Sequence, residues 1–333
     1  MANTLGTNLK VSVAKKSWKF FYQFALSLIL ILLLGFFESS KLVAASGSGE
    51  FNVRPTDAQT ATPGDGVGAF RTVCDPSHMN NDDAILFPNQ PGKSHLHVYF
   101  GNTLADASST YESLRSSGNS TCFGGIANRS AYWVPAVLDK QGEPIQPAQS
   151  HFYYKSGYFG VSASQINKIP DGLRMIAGNA KATGPQNTEH VHWGCWNQYI
   201  GNLDSIPDSK CQVGDFVKMG IDFPQCWDGK NLDSADHKSH VVYPVDNACP
   251  STHPVAIPTI TMNILYSVPP DGDTSGWRLS SDTYGTDQPG GYSMHADWFD
   301  GWDPEIKETW TDSCVKQGID CHSNLLGDGR EMF

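Results

Sequence analysis

Seven of the eleven histidines of this chain fall in four short motifs. They read Ser94-His95-Leu96-His97, His190-Val191-His192-Trp193, Asp236-His237-Lys238-Ser239-His240 and His295-Ala296-Asp297. Imidazole is the side chain most readily used as acid, base or metal ligand near neutral pH. In an extended segment residues i and i+2 face the same way. A strand over 95–100 therefore sets His95, His97 and Tyr99 on one side and Leu96, Val98 and Phe100 on the other. His190 and His192 repeat the arrangement, and His295 pairs with Asp297 if 293–299 is extended. Two imidazoles so placed can reach one ion, at about 2.0–2.1 Å for zinc. The spacing nominates His95, His97, His190 and His192 as metal ligands, with zinc or copper as candidate ions. An aspartate such as Asp236 or Asp297 can orient a ligating histidine, or tune one that acts as a base without metal. The residues nominated for catalysis are His95, His97, Asp236, His237, His240, His295 and Asp297. A lone H-x-H is also an ordinary polar strand face, so the argument rests on several motifs meeting in one place. Tyr99, Tyr132, Trp133, Trp298 and Trp302 lie nearest these motifs in the chain. They are candidates for stacking on a sugar, and packing into the core is the alternative use of the same rings.

The elements that must position these groups are short strands. Alternation of apolar and polar residues is visible at 95–100, 131–138, 151–154, 173–176, 241–243 and 259–268. Glycine and proline, 32 and 20 in number, punctuate the chain throughout. That pattern predicts a mainly β fold, an antiparallel sandwich or jelly-roll-like architecture with long loops. A few short helices are expected at 105–116, 162–168 and 304–314, the last with Asp303 as N-cap and Pro304 at the first helical position.

Lys10, Lys15, Lys16 and Lys19 precede an uncharged apolar run over 24–37, followed by Leu42-Val43-Ala44-Ala45. Charge, apolar stretch and small-residue exit are the order of a secretory signal peptide over 1–45. The alternative is a membrane anchor made by 20–37, which approaches bilayer-spanning length. Residues 46–69, polar and rich in Gly, Thr and Pro, read as a flexible tether, and 70–333 as a single domain. All eight cysteines follow the leader, and an even count in an exported chain points to disulfides. Only Cys314 and Cys321 are close enough in sequence to pair by proximity, and no C-x-x-C occurs. Of 23 basic and 34 acidic residues, five lysines and one glutamate lie in the leader, which leaves a net charge of −15. That balance argues against a nucleic-acid partner, whose phosphates reward basic surfaces, and against docking on anionic lipid. Membrane association is expected only through an uncleaved leader. No G-x-S-x-G elbow and no phosphate loop is present.

Several strings together resemble one family. They are Ser94-His-Leu-His97 with Phe100-Gly-Asn102, Asn128-Arg-Ser-Ala-Tyr-Trp-Val-Pro135, Cys226-Trp-Asp-Gly-Lys-Asn-Leu-Asp-Ser234 with Asp236-His-Lys-Ser-His240, Cys249-Pro-Ser-Thr-His-Pro254, and His295-Ala-Asp-Trp298 with Gly301-Trp302. The combination is similar to the DUF1996 family of secreted fungal and bacterial proteins, whose activity is not settled. The resemblance spans about residues 70–320. It implies one continuous domain, export and an extracellular or cell-wall setting. By position it marks His95, His97, His237, His240, His295 and Asp297 as polar motif residues. The family pattern usually has glycine where this chain has Ala296, and His190 and His192 lie outside it.

Two functions follow as expectations. One is a secreted enzyme acting on an extracellular polysaccharide, a hydrolase or lyase, with histidine as base or with metal assistance. Hydrolysis of a glycosidic bond calls for two carboxylates, and Asp236 with Asp297 is the available pair. The other is a non-catalytic wall or matrix protein that binds glycan or metal.

Overall fold

The computed structural model describes residues 49–61, 65–322 and 324–333. The expected signal peptide or anchor lies outside the described residues. Among the described residues no helix is long and apolar enough to cross a membrane. In chain order the strands that build the fold are β1 (Val53–Pro55), β2 (Ala69–Val73), β3 (Pro76–Asn80), β4 (His97–Gly101), β5 (Ala131–Pro135), β6 (Gln149–Lys155), β7 (Arg174–Gly178), β8 (Val191–Cys195), β9 (Ile200–Leu203), β10 (Phe216–Asp222), β11 (Thr259–Ser267), β12 (His295–Phe299), β13 (Asp320–Cys321) and β14 (Arg330–Met332). They form a seven-stranded sheet in the order β9-β8-β10-β11-β6-β2-β13 and a five-stranded sheet in the order β3-β4-β5-β12-β7. All pairings are antiparallel except β13 with β2. The fold is mainly β, as the alternation predicts.

Period-two patterning decides what each strand buries. Along β11, Ile260, Met262, Ile264 and Tyr266 are fully buried. They meet Phe152 and Tyr154 of β6, Phe100 of β4, and Tyr132 and Val134 of β5 in the main core between the sheets. Phe152 packs on Tyr132 with ring centroids 4.3 Å apart, and the Tyr132 and Tyr154 hydroxyls meet at 2.6 Å across the two sheets. Each such side chain contributes roughly 1.5–3 kcal/mol by leaving water. Trp298 and Trp302 belong to the same core, and the Trp302 indole donates to the Tyr154 hydroxyl at 2.9 Å. Tyr132, Trp298 and Trp302 are thus not sugar platforms: their faces are consumed by packing.

The five-stranded sheet is covered on its other side as well. Tyr99, Trp133, Ile176 and Phe299 project from β4, β5, β7 and β12 into a second, smaller core. Ala84, Ile85, Ala105 and Leu114 close it from above. Tyr99 and Trp133 stack at 5.4 Å and are at most 1% exposed, so they too are unavailable to a ligand. Burial on both faces explains why β5, Ala-Tyr-Trp-Val-Pro, reads as a continuous apolar run rather than an alternating one.

Helices are shorter than expected. Of 105–116 only α1 (Tyr111–Ser116) forms, because Asp106 accepts from the Ser108 backbone and hydroxyl in a turn and Thr110 then caps the helix. The 162–168 segment makes a single 3-10 turn, Ala163–Gln165. α2 (Pro304–Trp310) starts as predicted, with Asp303 accepting from the Glu305 and Ile306 amides, and runs on as a π-turn through Val315. The expected tether departs from prediction more sharply. β1 pairs in register with β14, and Ala61 bridges to Asp320. A polar segment need not be free when an unpaired strand edge can satisfy its backbone.

Four disulfides are present: Cys74–Cys122, Cys195–Cys211, Cys226–Cys249 and Cys314–Cys321. Disulfides of this number fit an extracellular protein. Cys226–Cys249 closes the loop that carries the Asp-His-Lys-Ser-His motif. That loop lies along β7, the edge of the five-stranded sheet. Arg174 donates its amide to Leu232, His240 Nε2 donates to the Arg174 carbonyl at 2.7 Å, and Lys238 Nζ donates to the Gly178 carbonyl. An edge strand is thereby capped by polar loop contacts, and the motif is delivered beside β12.

Candidate functional site

β4 and β12 flank β5 in the five-stranded sheet, so His97 and His295 lie two strands apart on its outer face. His95 sits just before β4, outside the strand, and turns toward both. Ring centroids are 4.3 Å apart for His95 and His97, 5.0 Å for His95 and His295, and 5.8 Å for His97 and His295. Asp297, two residues along β12 from His295, places a carboxylate oxygen 3.9 Å from His295 Nε2. Asp83 closes the group from the covering segment. One ligand atom from each of His95, His97 and His295 lies within 4.8 Å of the others, and the same holds for Asp83, His97 and Asp297. His97 is common to both sets.

The hydrogen bonds around the rings decide which nitrogens face inward. His97 Nδ1 lies 2.9 Å from the Asp82 carbonyl and His295 Nδ1 lies 2.9 Å from the Ser293 carbonyl. A carbonyl only accepts, so each Nδ1 carries the proton and each neutral ring keeps a lone pair on Nε2. Backbone carbonyls play this orienting part behind metal-ligating histidines. His95 Nε2 and His295 Nε2 are 3.2 Å apart. Either His95 donates to His295 there, or both lone pairs face one cation. At nitrogen–metal distances of about 2.0–2.1 Å, a 3.2 Å separation subtends about 100–105°, close to tetrahedral.

Electrostatics agree with an acceptor-lined centre. Burial pulls His95 down to about 4 and His295 to about 3, and holds His97 well below the usual imidazole range, with the neighbouring histidines adding to it. All three are neutral at pH 7. Burial raises Asp297 well above the usual carboxylate range, and the Asp83 charge raises it further. Asp83 is itself raised by burial, although its Oδ1 accepts from the Ile85 and Leu86 amides. His97 Nε2, Asp83 Oδ2 and both Asp297 carboxylate oxygens are buried and meet no donor among the described residues. Such orphaned groups cost about 1–3 kcal/mol each. Such acceptors are satisfied either by a cation or by a proton on Asp297 or Asp83, whose ionisation burial opposes.

The loop motif supplies the rim. Asp233 accepts from His237 Nδ1 at 3.0 Å and pairs with Arg174 at 3.3 Å. His237 adopts a left-handed backbone, φ +59°, a conformation a β-carbon disfavours and one that clusters at functional sites. Its side chain remains 26% exposed, and its charge reaches Asp83. Lys238, exposed as a residue, sends its ammonium to the carbonyl of Gly178, the register partner of His295. Burial lowers the Lys238 ammonium and the Asp297 charge opposes that shift.

Other nominated residues are placed differently. His240 is buried with both nitrogens engaged, Nδ1 with the Ser234 hydroxyl and Nε2 with the Arg174 carbonyl, so it holds the loop. Asp236 is exposed; its carboxylate accepts from the Ser239 and Lys238 amides and the Ser234 and Ser239 hydroxyls, which holds it below the usual range. Asp236 is thus bound in a turn, whereas Asp297, its expected carboxylate partner, is fully buried. His190 and His192 lie at β8, in the other sheet. His190 stacks on Tyr243 at 3.6 Å, and His192 lies over Gly220, so neither joins the three-histidine group. The i, i+2 rule names the face of a strand, not the sheet it enters. Three relevant residues are missed when only the imidazoles and the motif aspartates are nominated: Asp83, Asp233 and Lys238. Asp83 ends the polar run Asn80-Asn81-Asp82-Asp83, and the other two lie within the Cys226–His240 string, beside its imidazoles.

No curated protein and no solved structure matches the chain. A family model does, over residues 83–302, which begins at Asp83 and contains every residue of the centre and its rim. The chain belongs to that family, described as a domain of unknown function, DUF1996.

Proposed function

We propose that this protein is an exported, metal-dependent enzyme acting on an extracellular polysaccharide. His95, His97, His295 and Asp297 would hold a divalent cation, with Asp83 beside them. The observation that carries the reading is the convergence of lone pairs: three neutral imidazoles and two buried carboxyl groups, with orphaned acceptors on His97, Asp83 and Asp297. Two carboxylates and a dication sum to zero charge, which makes a buried ion tolerable. Nitrogen and oxygen donors in this mixture suit zinc. Bound there, the ion would polarise a substrate oxygen as a Lewis acid. The chain's own residues do the rest. His95 is the ligand nearest solvent. The His237 ring, held by Asp233 through Nδ1, presents Nε2 for proton transfer. Lys238 sets a cation at the rim. Because Asp236 is engaged in its own turn and Asp297 is fully buried, metal-assisted cleavage or elimination fits better than two-carboxylate hydrolysis.

The depth of the centre favours a second reading, a binding protein whose ion is structural, since His97, His295 and Asp297 are at most 1% exposed. One experiment separates the two. Metal content of purified protein is measured for wild type, His97→Ala and His237→Ala, and each is screened against a polysaccharide panel. The enzyme reading expects one ion per chain in wild type and in His237→Ala, none in His97→Ala, and turnover in wild type alone. Metal without turnover leaves the structural ion. Wild type free of metal, or His97→Ala with undiminished metal, refutes the site.

A further inference from the structure

The outer face of the seven-stranded sheet lies away from the main core and is not used by the histidine centre. Register places its side chains in rows. Val73, His151, Asn263, Gly220 and His192 run across β2, β6, β11, β10 and β8. Arg71, Tyr153, Thr261 and Asp222 form the next row, and Asp320, Ala69, Lys155 and Thr259 the one after. Lys218, four residues before Asp222 on β10, rises from the same face, because alternate residues share a side. Arg71, His151, Tyr153, Lys155, His192 and Lys218 are all partly open to solvent.

This face interleaves rings with cations. Lys155 Nζ sits 4.3 Å from the Tyr153 ring centroid and donates to the Tyr158 hydroxyl at 2.9 Å, and the Arg71 guanidinium lies 5.8 Å from the same Tyr153 ring. The Trp196 ring approaches His151 at 5.6 Å. His151 Nδ1 is buried and has no hydrogen-bond partner among the described residues. Gly220 keeps the centre of the face low: a β-carbon there would stand 2.4 Å from His192 Nε2. Beside Tyr153 the face deepens into a cavity of about 440 Å³ whose lining includes Arg71, Lys155, Asp65 and Asp320.

Charge decides what fits. The chain beyond its leader has 18 basic and 33 acidic residues. Against that background Arg71, Lys155 and Lys218 share one face with two carboxylates, Asp222, which burial raises and Thr261 engages, and Asp320 at the β13 edge, while Asp65 lines the cavity beside them. Asp320 is paired with His322. Among the described residues neither Lys155 nor Lys218 has a carboxylate within ion-pair distance, and burial lowers the Lys218 ammonium, with Asp222 opposing and the Lys155 charge adding to it. A row of cations kept together on an acidic protein, interleaved with rings and lined by hydroxyl and amide groups, matches an extended polymer with a carboxylate on its sugars.

We propose that the outer face of the seven-stranded sheet binds a strand of acidic, uronate-bearing polysaccharide. Tyr153 stacks on a sugar ring, Lys155, Arg71 and Lys218 meet the carboxylates, and Asn263 and His151 bond hydroxyls. The inference draws on the polysaccharide reading for its class of ligand, but not on the metal centre. The probe is polygalacturonate, with its fully methyl-esterified form and a neutral β-glucan as controls, measured by calorimetry at low and physiological salt. Wild type should bind the acidic chain, more weakly as salt rises. Lys155→Ala with Lys218→Ala should weaken it by about tenfold or more, Tyr153→Ala should weaken it at every salt concentration, and His97→Ala should bind as wild type does. Equal binding of the methyl ester or the glucan, unchanged affinity in the double-lysine variant, or no binding by folded wild type overturns the proposal. Loss of binding in His97→Ala would also overturn it, by moving the ligand to the metal centre. Binding without turnover keeps this face and counts against the enzyme reading alone.

Discussion

The substitution Asp297→Asn tests the cation centre by separating two effects that ordinary core damage would merge. Asp297 is fully buried, both its oxygens lack donors, and burial resists its ionisation. Metal-free wild type therefore bears an unfavourable group, at about 1–3 kcal/mol for each orphaned acceptor. Asparagine keeps the shape, removes the charge and adds an amide donor within the group that contains His97 Nε2 and Asp83 Oδ2. The metal-free variant should equal or exceed metal-free wild type in stability by about 1–3 kcal/mol. For a chain of this size that is roughly 2–4 °C in Tm per kcal/mol. Zinc should reverse the order. At a free concentration near 100 times Kd it stabilises the wild type by about 2.7 kcal/mol, and a variant lacking one ligand should gain little. The assay is calorimetric melting after chelation and after zinc is restored. A variant less stable than chelated wild type, together with zinc shifts that are absent or equal in the two proteins, would refute the reasoning.

Four further outcomes are expected. Trp302→Ala should cost about 3–5 kcal/mol in denaturant unfolding, because the indole packs in the main core and bonds the Tyr154 hydroxyl; a folded, equally stable variant would restore it as a candidate sugar platform. Replacing Cys226 and Cys249 together by alanine should lower stability by about 2–4 kcal/mol and leave the zinc-induced rise in Tm in place, since the loop that bond closes bears His237 and Lys238 but none of the proposed ligands. His240→Ala should leave metal content intact yet loosen the same loop, read as faster hydrogen exchange at the Arg174 and Asp228 amides. The fourth concerns pH. Burial, then the Lys218 charge, lowers His192 to about 4. The unfolded ring binds its proton first, near 6.5, so the stability tied to the neutral ring is complete above that value and is lost as pH falls toward 4. The loss is at most about 3 kcal/mol. Urea midpoints at pH 7.5 and 4.5 should differ less in His192→Gln than in wild type.

Strand content was legible because alternation survives wherever one face meets the core, as in Thr259–Ser267. His295 and Asp297 share a face for that reason, and His97 with Tyr99 likewise. What alternation does not carry is the partner of each face. His97 and His192 look alike in sequence, yet β4 enters one sheet and β8 the other, a matter of long-range pairing. Tyr99 and Trp133 are sugar-platform candidates by their place beside the motifs, and the segment holding Asp83 and Leu114 covers their face of the sheet, which makes them core residues. Helix length failed at 105–116 for a local reason, the turn that Asp106 builds before the Thr110 cap.

A roof over the five-stranded sheet has a kinetic consequence. With His97, His295 and Asp297 sealed and His95 at the only partly open corner of the three-histidine group, exchange of any bound ion requires the covering segment to lift. Its identity would then be settled while the chain folds, by whatever metal the compartment of folding offers, and not by the medium the mature protein later meets. Protein refolded from denaturant with a chosen ion should keep that ion through prolonged dialysis against another.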